Sequence, residues 1–338
     1  MTLEQFWWLK KRKEFVFLKK IIFYFVFVII LIFTMPIVFT NKFETKEVSS
    51  QNIIEENLGD YMVIKLLLSE TGKVEELDLD VYLIGVVASE MPASFEKEAL
   101  KAQAIVARTY TIYQMKNSKK HENADICDSP FCCQAWISKE NRFARWEDEK
   151  EIEYWNKITE AVRETNGKII KYNNEPINAF FHSNSGGKTE LAINVWGGNL
   201  PYLQSVETNG EDAYTSYNSI LEISKDDLIK KMLEKDSEFQ INFKEVDCIK
   251  ILEYTEGGRV QKIKIGNKTL SGTDCRKIFE LKSAKFMVEI LEDRIKFLVT
   301  GYGHGVGLSQ CGSDLLAKQG MTCEEIIKYY YKDVVISE

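Results

Sequence analysis

The chain has 338 residues, 44 basic against 51 acidic, for a net charge of −7. That length leaves room for one anchoring segment and one or two globular units, and the composition is that of an ordinary globular protein. The first 20 residues hold six basic and two acidic side chains, so residues 21–338 sum to −11, which argues against nucleic acid as a partner.

Residues 1–20 are predicted as a basic cytoplasmic tail. Residues 21–39, IIFYFVFVIILIFTMPIVF, form an uncharged apolar run of 19, close to the roughly 20 residues a membrane-spanning helix needs. Positive charge precedes the run, so the remainder of the chain should face outward. The run exceeds the usual apolar core of a signal peptide and no small-residue cleavage pattern follows, so an uncleaved anchor is expected. Residues 40–58 are a polar tether, and a globular domain spans 59–338.

Within that domain, MVIKLLL (62–68) and VYLIGVVA (81–88) are short apolar runs predicted as strands, the second buried on both faces. Pro92, a Ser94 N-cap and early acids then open a helix to about Lys116, whose small apolar centre AQAIVA implies burial inside the domain. Glu90 thus falls at a strand-to-helix junction. Partial desolvation there would raise its pKa, as a general acid requires.

A second helix is expected over Ile152–Val162, then a hairpin turning at Asn173-Asn174. SKDDLIKKMLEK (224–235) reads as helix, strands surround EGGR (256–259) and IGNK (265–268), and Thr322 with Glu325 makes a capping box. Strands and helices alternate without a βαβ rhythm. The fold class predicted is therefore α+β: mixed strands and helices around a substrate cleft, preceded by one N-terminal transmembrane helix.

Three segments gather residues able to do chemistry. FFHSNSGGKTE (180–190) sets His182, Ser183 and Ser185 ahead of a Gly-Gly turn. GYGHGVGLSQCG (301–312) alternates glycine with Tyr302, His304, Val306 and Leu308, and an extended strand of that pattern would leave one face bare for close approach. HENADICDSPFCC offers His121, Cys127, Cys132 and Cys133, which could hold tetrahedral zinc or form a disulfide. Phosphate-loop, G-x-S-x-G and H-E-x-x-H patterns are absent.

Taken together, VVASEMPASFEKEALKAQAIVARTY, ICDSPFCCQAW, FFHSNSGGKTE, EGGRVQKIKIGNKTLSGTDCRKIFELKSAKF and GYGHGVGLSQCG resemble the stage II sporulation protein D family, in order over roughly residues 60–335. The resemblance implies a peptidoglycan lytic transglycosylase that cuts glycan strands between N-acetylmuramic acid and N-acetylglucosamine and leaves 1,6-anhydro ends. Strands stripped of stem peptides by the sporulation amidase, stage II sporulation protein P, would be its substrate, with stage II sporulation protein M as membrane partner. Its place would be the mother-cell membrane facing the forespore, during engulfment.

The family's catalytic glutamate falls on Glu90. Its surrounding polar positions fall on Gln103, Arg108, Tyr110, His182, Ser183, Ser185, His304 and Gln310, and Tyr302 is a candidate to pack against sugar. Two departures stand out: Cys132 occupies a position where relatives often carry histidine, and Ser-Gln-Cys-Gly at 309–312 replaces Ser-Gln-Trp-Gly. The first keeps a ligand in a structural zinc set of His121, Cys127, Cys132 and Cys133, and the chemistry itself requires no cofactor. A non-enzymatic enhancer of a cell-wall amidase is the alternative function.

Overall fold

Asp78 closes a short hairpin and opens a helix. Strands β1 (Val63–Leu67) and β2 (Val74–Asp78) pair antiparallel, and the Asp78 carboxylate accepts the N–H groups of Asp80 and Val81 at the start of α1, Leu79–Glu90. The computed structural model describes residues 62–117, 120–147 and 149–338. The tail, membrane helix and tether expected over residues 1–58 lie outside these. Among the described residues no helix is long and apolar enough to cross a membrane.

Helix α1 corrects the strand expected at 81–88. Leu79, Tyr82, Leu83, Val86, Val87 and Ala88 are all buried around it, and a short apolar run enclosed on every side satisfies either period. Burial overrides the β preference of its valines. Gly85 admits Trp136, whose Nε1 would lie 2.3 Å from any Cβ placed there.

Pro92 prevents α1 from continuing, and α2, Lys97–Asn117, begins three residues after Ser94, the expected cap. The exposed amide of Glu96 is instead taken by the Asp314 carboxylate at 2.7 Å. The centre of α2 is buried on all sides, as its composition predicts.

Strand β3 (Ile126–Cys127) joins β1 in parallel, and α3 (Lys139–Phe143) and α4 (Glu151–Arg163) follow. The expected hairpin is present as β4 (Ile169–Tyr172) and β5 (Glu175–Pro176), turning through Asn173 and Asn174 at φ 50° and 65°. Strand β6 (Phe181–His182) leads to the short α5 (Ala192–Trp196).

From there the chain builds a second core. Strand β7 (Asn218–Ser224) runs into α6 (Lys225–Lys235), then into the meander β8 (Ile249–Tyr254), β9 (Val260–Ile265) and β10 (Lys268–Ser271). Helix α7 (Gly272–Phe279) and strands β11 (Phe286–Ile290) and β12 (Arg294–Thr300) complete it, with β12 between β11 and β7. Its centre is Phe279, Phe286 and Phe297 packed with Leu228, Ile263 and Ile295.

The chain then returns to the first core through β13 (Leu308–Ser309), α8 (Gln310–Lys318), α9 (Cys323–Tyr330) and β14 (Val335–Ser337). The predicted Thr322–Glu325 capping box begins α9. Residues 64–206 and 306–334 contribute to one core and 228–299 to the other, so the second is an insertion in the first. The α+β class holds.

Candidate functional site

Glu90 is the last residue of α1. Its Oε1 accepts the Ala135 N–H at 2.7 Å. Burial pushes its carboxyl up to about 7, against the opposing hydrogen bonds from Ala135 and the Gln310 side chain. The negative end of the α1 dipole also disfavours its ionised form. No second carboxylate is among the groups that shift it.

Gln310 opens α8 and reaches back to Gln103 on α2, Nε2 to Oε1 at 3.5 Å. Both glutamines are buried, and Gln103 Nε2 has no partner among the described residues. Strand β13 runs parallel to β6, placing Ser309 opposite His182, and the Ser183 carbonyl accepts the Cys311 N–H at 3.0 Å. The histidine segment therefore lies alongside the start of α8, which carries Gln310 to Glu90.

His182 Nδ1 donates to Val306 O at 3.2 Å, and the Val306 N–H is held by His304 Nδ1 at 3.0 Å. The two rings are 5.7 Å apart. Burial, with nearby positive charge, holds His304 down at about 3 and His182 well below the ordinary imidazole range, so both rings are neutral. Next to them Phe180 stacks on Trp196 at 4.4 Å, and Trp196 is 4.9 Å from His304. Trp196 and Tyr302, at 49% and 40% exposed, offer ring surface to solvent.

The glycine segment differs from the extended strand expected. Gly301, Gly303, Gly305 and Gly307 all have positive φ, between 73° and 114°, and their backbones bond to separate parts of the chain. The N–H of Gly301 donates to Tyr217 O and that of Gly303 to Lys282 O, while Gly305 O accepts from Glu190. Close approach is nonetheless their purpose: a Cβ at Gly305 would meet Arg259 Nη2 at 2.0 Å, and one at Gly307 would meet Phe180 O at 2.0 Å.

Two expected site residues are turned inward. Arg108 donates to Asp80 Oδ1 at 2.8 Å and Thr165 O at 2.6 Å. Asp80 begins the helix that Glu90 ends, about 15 Å away at 1.5 Å per residue, so Arg108 braces helices instead of facing the acid. Ser185 is fully buried, with Oγ and N both on Glu211 Oε2 at 2.6 and 3.0 Å. Glu211 also takes Gly187 N–H at 3.2 Å and the Ser309 hydroxyl, tying the histidine loop to β13. Neither Glu211 nor Ala135 carries a sequence signal, whereas Trp196, an aromatic before Gly-Gly, could have been noted.

His121, Cys127, Cys132 and Cys133 converge, with ligand atoms all within 4.8 Å of one another. His121 Nε2 is 3.7 and 3.5 Å from the sulfurs of Cys132 and Cys133, themselves 3.8 Å apart. Zn–S bonds of about 2.3 Å and Zn–N of about 2.0 Å give tetrahedral edges of about 3.8 and 3.5 Å, so the set fits zinc. All the cysteines are free thiols. Burial, with Cys127 crowding close, pushes the Cys133 thiol up to about 12, so it stays protonated unless a cation displaces its proton. Burial and the three sulfurs also raise the Tyr110 hydroxyl, which places Tyr110 beside the cluster, its ring 6.4 Å from Phe180.

The cluster and the donor to Glu90 share one loop. After Cys133, Gln134 Nε2 donates to Tyr82 OH and Thr111 Oγ1, both at 2.9 Å, and the next residue supplies the N–H that Glu90 accepts.

Comparison with known proteins places these segments in a family. The family model described as "Stage II sporulation protein" matches residues 68–172, covering Glu90 and all four cluster residues. A domain of unknown function matches residues 202–307, close to the inserted core. Stage II sporulation protein D of Bacillus subtilis is 38% identical over 268 residues, 78% of this chain and 76% of that protein. Its counterpart in Bacillus amyloliquefaciens is 36% identical over the same shares. The amidase enhancer of Bacillus subtilis is 27% identical over 75% of this chain and 40% of its own length. The chain belongs to the stage II sporulation protein D family.

Proposed function

We propose that the protein is a membrane-anchored lytic transglycosylase acting on peptide-stripped peptidoglycan strands during engulfment, with Glu90 as its single acid/base. The observation that carries this reading is the Glu90 carboxyl, pushed up to about 7 and held by Ala135 and Gln310. A group with that affinity can be a proton donor and then an acceptor near neutral pH.

One carboxyl suffices for this reaction. Glu90 protonates the glycosidic oxygen leaving with N-acetylglucosamine, the muramic C1–O bond breaks, and the muramic 6-hydroxyl bonds to C1. That hydroxyl returns its proton to the Glu90 carboxylate, so the enzyme is restored and no water is consumed. Hydrolytic glycosidases usually need a second carboxyl to attack or to activate water; the intramolecular hydroxyl replaces it at high effective molarity. Exposed Trp196 and Tyr302 would bear the sugar faces.

Zinc held by His121, Cys127, Cys132 and Cys133 would be structural, since four protein ligands leave no open position. Its part is to fix the loop that aims the Ala135 N–H at Glu90. The anchor at 21–39 and the sporulation amidase and stage II sporulation protein M as partners belong to the same proposal.

An enhancer resembling the distant relative would stimulate an amidase and generate no anhydro sugar. Incubating the full-length chain with peptide-bearing peptidoglycan and a cell-wall amidase distinguishes the two. The enzyme releases anhydro-ended glycan in proportion to intact Glu90; stimulated amide cleavage alone, unchanged by Glu90→Gln, would reject the enzyme.

A further inference from the structure

Glu90 takes its backbone hydrogen bond from Ala135, whose methyl side chain cannot hold that N–H in place by any polar contact of its own. The chain is fixed to α1 on both sides of it. Gln134 Nε2 donates to Tyr82 OH on α1 and to Thr111 Oγ1 on α2, both at 2.9 Å. Trp136 and Ile137 press on α1 at Gly85, where a Cβ would lie 2.3 Å from Trp136 Nε1 and 2.7 Å from Ile137 O. One helix thus carries the acid, at its last residue, and an anchor point on either side of the acid's donor.

Packing alone does not call for glutamine at 134. The side chain is 1% exposed and lies on Tyr82 and Thr111, which are fully buried. Its Oε1 has no partner among the described residues. A buried carbonyl left unmatched costs stability, a cost that leucine in the same space would not incur. What the amide adds is its two N–H bonds. Thr111 spends its own proton on Ala107 O at 2.8 Å, and burial raises the Tyr82 hydroxyl far above its ordinary range, so both oxygens are neutral acceptors.

Few other groups act on Glu90. The Ala135 N–H and the Gln310 side chain are the donors that favour its carboxylate, and among the described residues no charged side chain is among the groups that shift it. Withdrawing one of two donors from a buried carboxylate favours the protonated acid.

We propose that Gln134 is a positioning residue: by clasping Tyr82 and Thr111 it holds the Ala135 N–H on Glu90, and so sets how readily the acid gives up its proton. This rests on Glu90 as the acid of the reading above and says what tunes it.

The test titrates the full-length chain by NMR with carbon-13 at the glutamate side-chain carboxyls, the Glu90 signal being the one that Glu90→Gln removes. The parent midpoint should lie at about 7. Gln134→Leu should raise it by about one pH unit, a tenfold rise in proton affinity and the scale of one hydrogen bond to a charged group. A parent midpoint of about 7 that Gln134→Leu leaves in place, or that falls toward the ordinary carboxylate range because water enters, overturns the assignment and leaves the glycan reading intact. A parent midpoint already in the ordinary range overturns both. Should Gln134→Leu fail to fold, Tyr82→Phe, which keeps the ring and removes the acceptor on α1, is read in the same way with a smaller rise expected.

Discussion

Glu90 is the residue whose environment and role can be separated by experiment. Its raised affinity for a proton means that ionising it in the folded chain costs free energy that the unfolded chain does not incur. Below the ordinary carboxylate range both states are protonated and the cost is nil; it grows as pH rises to about 7 and is constant above. Glu90→Gln keeps the shape and removes the charge. Thermal melting should therefore show the variant more stable than the parent by on the order of 3 kcal/mol above pH 7, with the gain vanishing toward pH 4.5. A variant less stable at pH 8 would contradict the burial account. Glycan cleavage should in turn fall as pH rises through about 7, where the donor proton is lost; a rate flat from pH 6 to 9 would contradict it.

At the scale of elements, the glycine segment and the cysteine loop make separate predictions. Gly307 has φ 73° and a backbone oxygen where a Cβ would go, whereas Gly72 has φ 70° and open space. Gly72→Ala should cost about 1 kcal/mol in denaturant unfolding, from the left-handed backbone alone, and Gly307→Ala about 3 kcal/mol, because Phe180 O cannot withdraw without disturbing β6. Equal costs would mean that the approach is not tight. For the loop, protein purified without added metal should carry one zinc per chain, and Cys133→Ser should lose the metal and lower the melting temperature. Metal-free protein with Cys127 in a disulfide would reject the ligand set.

Elements with distinct periods or caps were legible in the sequence: α4, α6, the Asn173-Asn174 hairpin and the capped α9 all lie where pattern places them. Helix α1 was not, because complete burial erases the alternation that separates strand from helix. Glu90 stands out as the candidate acid only through the family blocks, and its raised carboxyl follows from an apolar neighbourhood, which is the end of a helix and not of the strand the sequence suggests. Arg108 and Ser185 share those blocks yet serve the interior, since a polar residue bracing a buried loop and one touching a ligand look alike in sequence.

Across the whole molecule, the insertion of one core within another explains how distant segments meet. The first core holds α1, α2 and the cysteine loop, which set Glu90 and its donor; the chain leaves it near Val206, builds the β-rich insertion, and returns by the glycine segment. Arg259 and Arg276 from the insertion line one small cavity with His304 and Glu190 at the junction. The central claim is that this assembly breaks glycan strands by internal attack with Glu90 as the single acid/base. Mass spectrometry of the products from peptide-free strands treated with the full-length chain tests it most directly. The account predicts 1,6-anhydromuramic ends with the parent chain and none with Glu90→Gln; reducing ends formed by hydrolysis, or the same anhydro products from the variant, would contradict it.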